Sequence, residues 1–331
     1  MAGLRPKDRR PRAIDLAARL AGLDNPAIAY FARRDLLDED AGPVSALWEL
    51  REARRIVARQ NLDGSWRYPG GQERIRSREN YDQLETFRQV AILVEMFGFD
   101  REHPALARAA EYLFSCQSRE GDFRGIYGPQ YATTYHGAIM ELLIKSGYAD
   151  DPRIARGFAW LLSVRQDDGG WAVPLRVARV PYMEAQDLGR YPTPIAPVTS
   201  RPSSHLVTGM VLRAFAAHPS RRKSGEARRA AAWFVSRLYH RDAYPDRGAP
   251  DYWERVSFPF WFTDIVTALD TLSRMEWSME PAIAAAIDRL RRRRRKDGTL
   301  LLKIVRGKLP DLPWWICLAI CRSCQRWGVH F

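Results

Sequence analysis

The sequence predicts an all-α fold: about six pairs of helices, one outer and one inner in each pair, closed into a double-walled ring that forms a single domain over residues 1–331. Three observations carry this prediction. A unit of 17 positions from Pro to Gly recurs three times in the same internal register. Helices with one apolar stripe alternate along the chain with helices that are apolar on most faces. No segment shows sustained period-two alternation with β-branched enrichment, the mark of strands.

The recurring unit is clearest in the outer helices. Pro104, Pro152 and Pro281 each follow His or an acid, and Pro at a first helical position presets φ without losing a hydrogen bond. Leu106, Ile154 and Ile283 follow two residues later, and Leu113, Leu161 and Leu290 seven beyond those, so each copy carries one buried stripe. Gly121, Gly169 and Gly298 then turn the chain, each after an acid. A further copy ends on Gly64 and Trp66, with Ile56 in the Leu113 slot. A degraded copy spans 224–244, with Asp242 near the turn and no Gly. DLAARLAGL near residue 15 makes the sixth outer helix.

The inner helices have a different character. They begin near Ala27, Gln83, Thr133, Ser203, Trp261 and Leu312, carry few charges and are apolar nearly all round, which requires burial on both sides. The first and last helices lack a polar cap, which favours a closed ring over an open solenoid. Residues 173–202 break the period with six prolines plus Tyr182 and Tyr191, so they form a long loop, either a functional lid or a strap over the ring's edge.

Composition excludes several classes. With 331 residues, 46% hydrophobic and 27% charged, the chain is globular, and the repeat uses the length for one ring instead of two or three domains. No apolar run is long enough to span a bilayer, the charged start does not resemble a secretory signal, and four Cys do not make a disulfide framework. These features point to the cytoplasm. The net charge of +13 is almost all Arg and is expected on the outer helices and their ends, with the run 291–296 as an anion patch or a solvated helix end. It supports peripheral contact with an anionic membrane better than specific nucleic-acid binding.

QNLDGSW at 60–66 and RQDDGGW at 165–171 resemble the glutamine–tryptophan repeats of the squalene cyclase and protein prenyltransferase superfamily, whose members share an (α/α)6 toroid. The resemblance runs through the helix periodicity over about residues 26–327. PAIAYFARRDLL and SFPFWFTDIVTALDTL are similar to small bacterial single-toroid members without an assigned reaction. The resemblance implies isoprenoid chemistry on this scaffold, but the family's motifs are missing. The Asp-x-Asp-Asp-Thr-Ala acid motif is reduced to Asp264 with Thr267 and Ala268, and there is no Asp-x-Cys zinc pair. No metal and no cofactor are expected.

In such a ring the N-terminal ends of the inner helices converge on a central cavity. That geometry gathers Tyr81, Asp82, Tyr131, Thr134, Tyr135, Trp261, Trp314 and Trp315 as lining residues, with Asp264, Glu85, His136 and His205 as candidate catalytic groups and Ser204 beside them. Aromatic faces stabilise carbocations, and a buried carboxyl with a raised pKa could donate a proton. The competing reading is that the aromatics fill the ring's centre and the acids sit at helix N-termini. Cys317, Cys321 and Cys324 share the spacing of a cluster-binding loop, but on a helix they form one face and read as core packing. Three functions remain open: an enzyme acting on an isoprenoid or other long apolar substrate, a non-catalytic binder of an isoprenoid, lipid-like molecule or peptide in the same cavity, and a structural, protein- or membrane-interaction module using the basic outer face. The oligomeric state is unassigned.

Overall fold

A computed structural model of the chain describes residues 15–70, 79–245, 250–306 and 311–331. The outer helices are α1 (Leu16–Ala21), α3 (Arg51–Val57), α5 (Pro104–Ser115), α7 (Pro152–Ser163), α10 (Gly225–Val235) and α12 (Pro281–Arg292). The inner ones are α2 (Pro26–Leu36), α4 (Tyr81–Phe97), α6 (Thr133–Leu143), α9 (His205–Ala217), α11 (Ile265–Arg274) and α13 (Leu312–Arg326). A single turn, α8 (Pro174–Val177), opens the Pro-rich loop. The inner helices pack in chain order, α2 on α4, α4 on α6, α6 on α9, α9 on α11 and α11 on α13; α13 then packs back on α2. That last contact closes the ring, so the fold is an all-α toroid.

The repeated sequence unit has a physical explanation. His103 and Asp151, the residues before Pro, are N-caps: His103 Nδ1 accepts from Ala105 N at 3.1 Å and Asp151 Oδ1 from Arg153 N at 2.8 Å. The outer helices bury the predicted stripes, Leu106, Ala109, Ala110 and Leu113 in α5 and Ile283, Ala286, Ile287 and Leu290 in α12. After the turn, the indole of Trp66 donates to Ile56 O (2.8 Å) and that of Trp171 to Leu161 O (2.7 Å), so each Trp covers the end of its own outer helix. The glutamine of the motif reaches further. Gln60 Nε2 donates to Gly64 O and to Ala105 O of α5, and Gln117 Nε2 to Gly121 O and Arg153 O of α7. Each glutamine therefore ties one repeat to the N-terminus of the next.

The inner helices meet at close range where side chains are absent. A Cβ on Gly137 of α6 would stand 2.9 Å from Val211 Cα of α9, which only glycine permits.

Two features differ from expectation. Residues Arg255–Ser257 (β1) and Lys303–Arg306 (β2) pair as a short parallel ribbon joining two connections. Strands of three and four residues are too short for periodicity to register. The inner helices also carry more charge than their apolar pattern suggested, because it is gathered at their C-terminal ends. Glu141, Arg213 and Asp270 are all buried and belong to this layer.

Candidate functional site

The N-terminal mouth of the ring was the expected site. At this level the axis is filled. Phe87 of α4 meets Trp261, just ahead of α11, with ring centroids 5.7 Å apart, and these two helices stand on opposite sides of the ring. Tyr135 packs edge-on against Phe87 at 5.7 Å and continues to Tyr127 at 5.7 Å and Tyr182 at 5.8 Å. Trp315 stacks on Phe258 at 5.0 Å and meets Phe31 edge-on.

The open space lies off the axis. A cavity of about 280 Å³ sits between the N-terminal ends of α6 and α9 and the Pro-rich loop. Thr134, Leu206 and Val207 line it from the helices, and Val173, Leu175, Arg176 and Tyr182 from the loop. Tyr127, Tyr244, Ser204 and Asp242 complete the wall. The loop is fastened over it. Tyr182 donates to Glu79, and Gln130 donates to Ala185 O and accepts from Ile195 N, both at 2.8 Å. Gln166, the glutamine of the Trp171 repeat, donates to Val198 O and Arg201 O and secures the loop's end. The loop is therefore tied at three places.

The carboxylate at this cavity is Asp242. It accepts from Ser204 Oγ at 2.7 Å and from Leu206 N at 3.1 Å, and lies 3.6 Å from His205 Nε2. His205 packs against the rings of Tyr252 and Trp253. The sequence places Asp242 only at the turn of the degraded repeat. The usable signal was its position: the turn acid Asp168 likewise receives a bond from the start of an inner segment, Ser203 N at 2.9 Å.

The other expected residues disperse. Asp264 is fully buried and caps α11, accepting from Thr267 N at 2.9 Å and from Ser257 N at 3.4 Å. Burial pushes its pKa up to about 7, against the pull of those amides and of the nearby Arg213 charge. Glu85 turns outward into a groove between α3 and α4, beside Arg55, Arg59 and Trp66, paired with Arg88 and Gln89. His136 accepts from Phe123 N at 3.0 Å, with Gly157 O 3.1 Å from its other nitrogen. Burial lowers its pKa to about 4, so it is neutral at pH 7. Thr86 and Thr208 do the same work for Trp66 N and Trp171 N, each at 2.9 Å, so His136 occupies a repeated acceptor position.

Asp82 accepts from Tyr68 N, and Tyr81 packs on Tyr68 with its phenol pushed up to about 12 by the bond to Glu79. Tyr131 donates to Glu120 and stacks with Trp160, on the outer side. Trp314 lies under Arg19. Only Thr134 and Ser204 of the expected set line the cavity, with His205 just behind Ser204. Cys317, Cys321 and Cys324 are buried, and burial raises all three thiols.

Segments of the chain are similar to known proteins. Residues 79–190 match the squalene-hopene cyclase C-terminal domain family. A probable squalene–hopene cyclase from Sinorhizobium fredii (strain NBRC 101917 / NGR234) is 26% identical over 135 residues, 41% of this chain and 20% of that protein. A squalene-hopene cyclase from Schizosaccharomyces japonicus (strain yFS275 / FY16936) is 36% identical over 58 residues, 18% of this chain and 9% of that protein. The chain thus spans about a fifth or less of the length of these relatives. Among solved structures, a type II terpene cyclase from Scytonema, in complex with merosterolic acid A, aligns over 92% of this chain and 99% of its own at 15% identity and a TM-score of 0.37. By its matched segment and its repeats, the chain is similar to the squalene cyclase and terpenoid cyclase-like superfamily.

Proposed function

We propose that this toroid binds an isoprenoid or a similar apolar chain in the cavity beneath the Pro-rich strap. One observation carries the reading: a space of about 280 Å³ is walled mainly by Val173, Leu175, Leu206, Val207 and three tyrosines, with Arg176 and a single carboxylate, Asp242, as the charged groups in its wall. Aliphatic walls favour a hydrocarbon, and the tyrosine faces suit unsaturated or cationic carbon. The filled axis directs the ligand to this off-axis space. The fastening of the strap by Tyr182 and Gln130 makes entry depend on that segment opening.

The same cavity offers the chemistry of an acid. Asp242 stands in the wall with His205 behind it, whereas Asp264 holds a raised pKa but is committed to capping α11. If the bound chain is turned over, Asp242 and His205 are the proposed proton-handling pair, Asp264 being the second candidate. Glu85 and His136 have lower standing, because Glu85 opens to the outer groove and both nitrogens of His136 face backbone partners.

The test is direct. Purified protein is titrated with all-trans-farnesol and with squalene, and binding is read by native mass spectrometry. The Leu206→Trp variant, which fills the cavity, is expected to lose binding by at least about tenfold, and Asp242→Asn to retain it. Equal binding by Leu206→Trp and the natural protein would overturn the assignment of the cavity, as would no retention of either compound.

A further inference from the structure

The opposite mouth of the ring has a different chemistry. Five inner-helix C-termini, those of α2, α4, α6, α11 and α13, border an open basin of about 680 Å³. Its wall holds Arg34, Lys145, Arg274, Arg322 and Arg326, against Asp35, Glu95 and Asp100. Asp270 lies just beneath.

The cations of the wall are balanced by Asp35, Glu95, Asp100, Asp270 and Glu141, but the pairing leaves guanidinium N–H groups unspent. Asp270 accepts from Arg274 Nε and from Arg326, both at 2.8 Å. Asp35 accepts from Arg34 at 2.6 Å and from Arg322. Four guanidiniums therefore share two carboxylates. Arg274 spends only its Nε on a protein partner among the described residues, and the buried Nε of Arg322 has none there. Lys145 bridges Glu95 (2.6 Å) and Glu141 (2.7 Å), which fixes its position at the basin's edge. Burial and the neighbouring Arg274 and Arg34 charges act to lower the pKa of Arg322, against the pull of Asp35, so the cluster carries internal repulsion.

Helix C-termini attract cations, and that accounts for an arginine at a solvent-facing last turn. It does not account for four guanidinium forks converging on one concavity and sharing two acids. A planar fork with spare N–H groups is the group that binds a tetrahedral oxyanion bidentately. We propose that this basin is a binding site for a phosphate group, held by Arg274, Arg322 and Arg326 with Lys145 beside them. The site is separate from the apolar cavity at the other mouth and does not depend on it. Phe31, Val94 and Phe99 add apolar wall on the α2 and α4 side, so the ligand has room for a non-polar portion next to its phosphate.

The phosphate could belong to a soluble compound or to a lipid headgroup, and the experiment separates the two. Sodium pyrophosphate and inorganic phosphate are titrated calorimetrically at constant ionic strength, and co-sedimentation is measured with vesicles of phosphatidic acid in phosphatidylcholine. Arg274→Gln and Arg322→Gln are each expected to weaken the interaction by at least about tenfold, since each removes a charge-assisted pair. Arg322→Lys, which keeps the charge against Asp35 but lacks the fork, serves if a Gln variant fails to fold, and is expected to weaken binding as well. Pyrophosphate binding that the variants lose supports a soluble ligand; vesicle binding alone that they lose supports a headgroup. No binding in either arm, or binding that the variants leave unchanged, overturns the proposal.

Discussion

At pH 5 the buried carboxyl of Asp264 is protonated, and at pH 9 the folded chain must hold it ionised without solvent. Its folded pKa of about 7 lies above the unfolded value, so between about pH 4 and pH 7 the unfolded chain gives up a proton that the folded chain keeps. Stability therefore falls as pH rises through that window and levels off above it, by at most about 4 kcal/mol from this one group. Asp264→Asn removes the titration and keeps an oxygen for Thr267 N, at the cost of a poor contact with Ser257 N that is the same at every pH. The variant is expected to gain on the natural protein between pH 5 and pH 8 in urea unfolding; parallel pH profiles would refute the assignment. Only part of this was legible in the sequence. Asp264 before a helix was readable as a cap, but its environment depends on how the chain folds back from β1, where Ser257 reaches it, and on Arg213 of α9, which is distant in the chain. Asp242 was hidden for the complementary reason, since nothing local tells that its turn faces a cavity.

At the scale of the repeat, proline, cap and glycine lie within one helix and its turn, so local pattern was enough to find them. The glutamine clamp was not, because its second acceptor, Ala105 O for Gln60, belongs to a helix some 45 residues on. The turn glycine is the tightest point of the unit. Gly64 has φ +89°, and a Cβ there would stand 2.2 Å from Arg108 O, on the same α5 that Gln60 clamps. Gly42 has a similar φ of +74° with nothing within 4 Å. Gly42→Ala isolates the cost of the left-handed backbone and is expected to lose about 1 kcal/mol. Gly64→Ala adds a collision with backbone and is expected to lose about 3 kcal/mol or more. Equal losses in urea unfolding would mean that α5 does not press on the turn.

For the molecule as a whole, alternation of one-faced and all-round apolar helices was enough to give a ring, because each inner helix needs two covered faces. What alternation could not show was the order along each helix. The apolar pattern averages over a helix, so the basin of arginines and acids at one mouth went unread, and the +13 charge was assigned mostly to the outer helices and their ends. Closure is the property that makes the ring differ from a stack of repeats. In an open solenoid each repeat contacts only its neighbours, and loss of a terminal repeat exposes one face. Here α13 packs on both α11 and α2, with Asn25 donating to Asp311 at 2.9 Å and Arg322 paired with Asp35 across the same seam. A chain ending at Met279 lacks α12 and α13, so α11 and α2 each lose the partner that joins them and the buried faces they turned to it are uncovered. That chain is expected to aggregate or to melt without a cooperative transition, read by size-exclusion chromatography and by circular dichroism. A monomer that keeps a sharp transition would show that the seam between α13 and α2 adds little, and that the remaining pairs stand as an open arc.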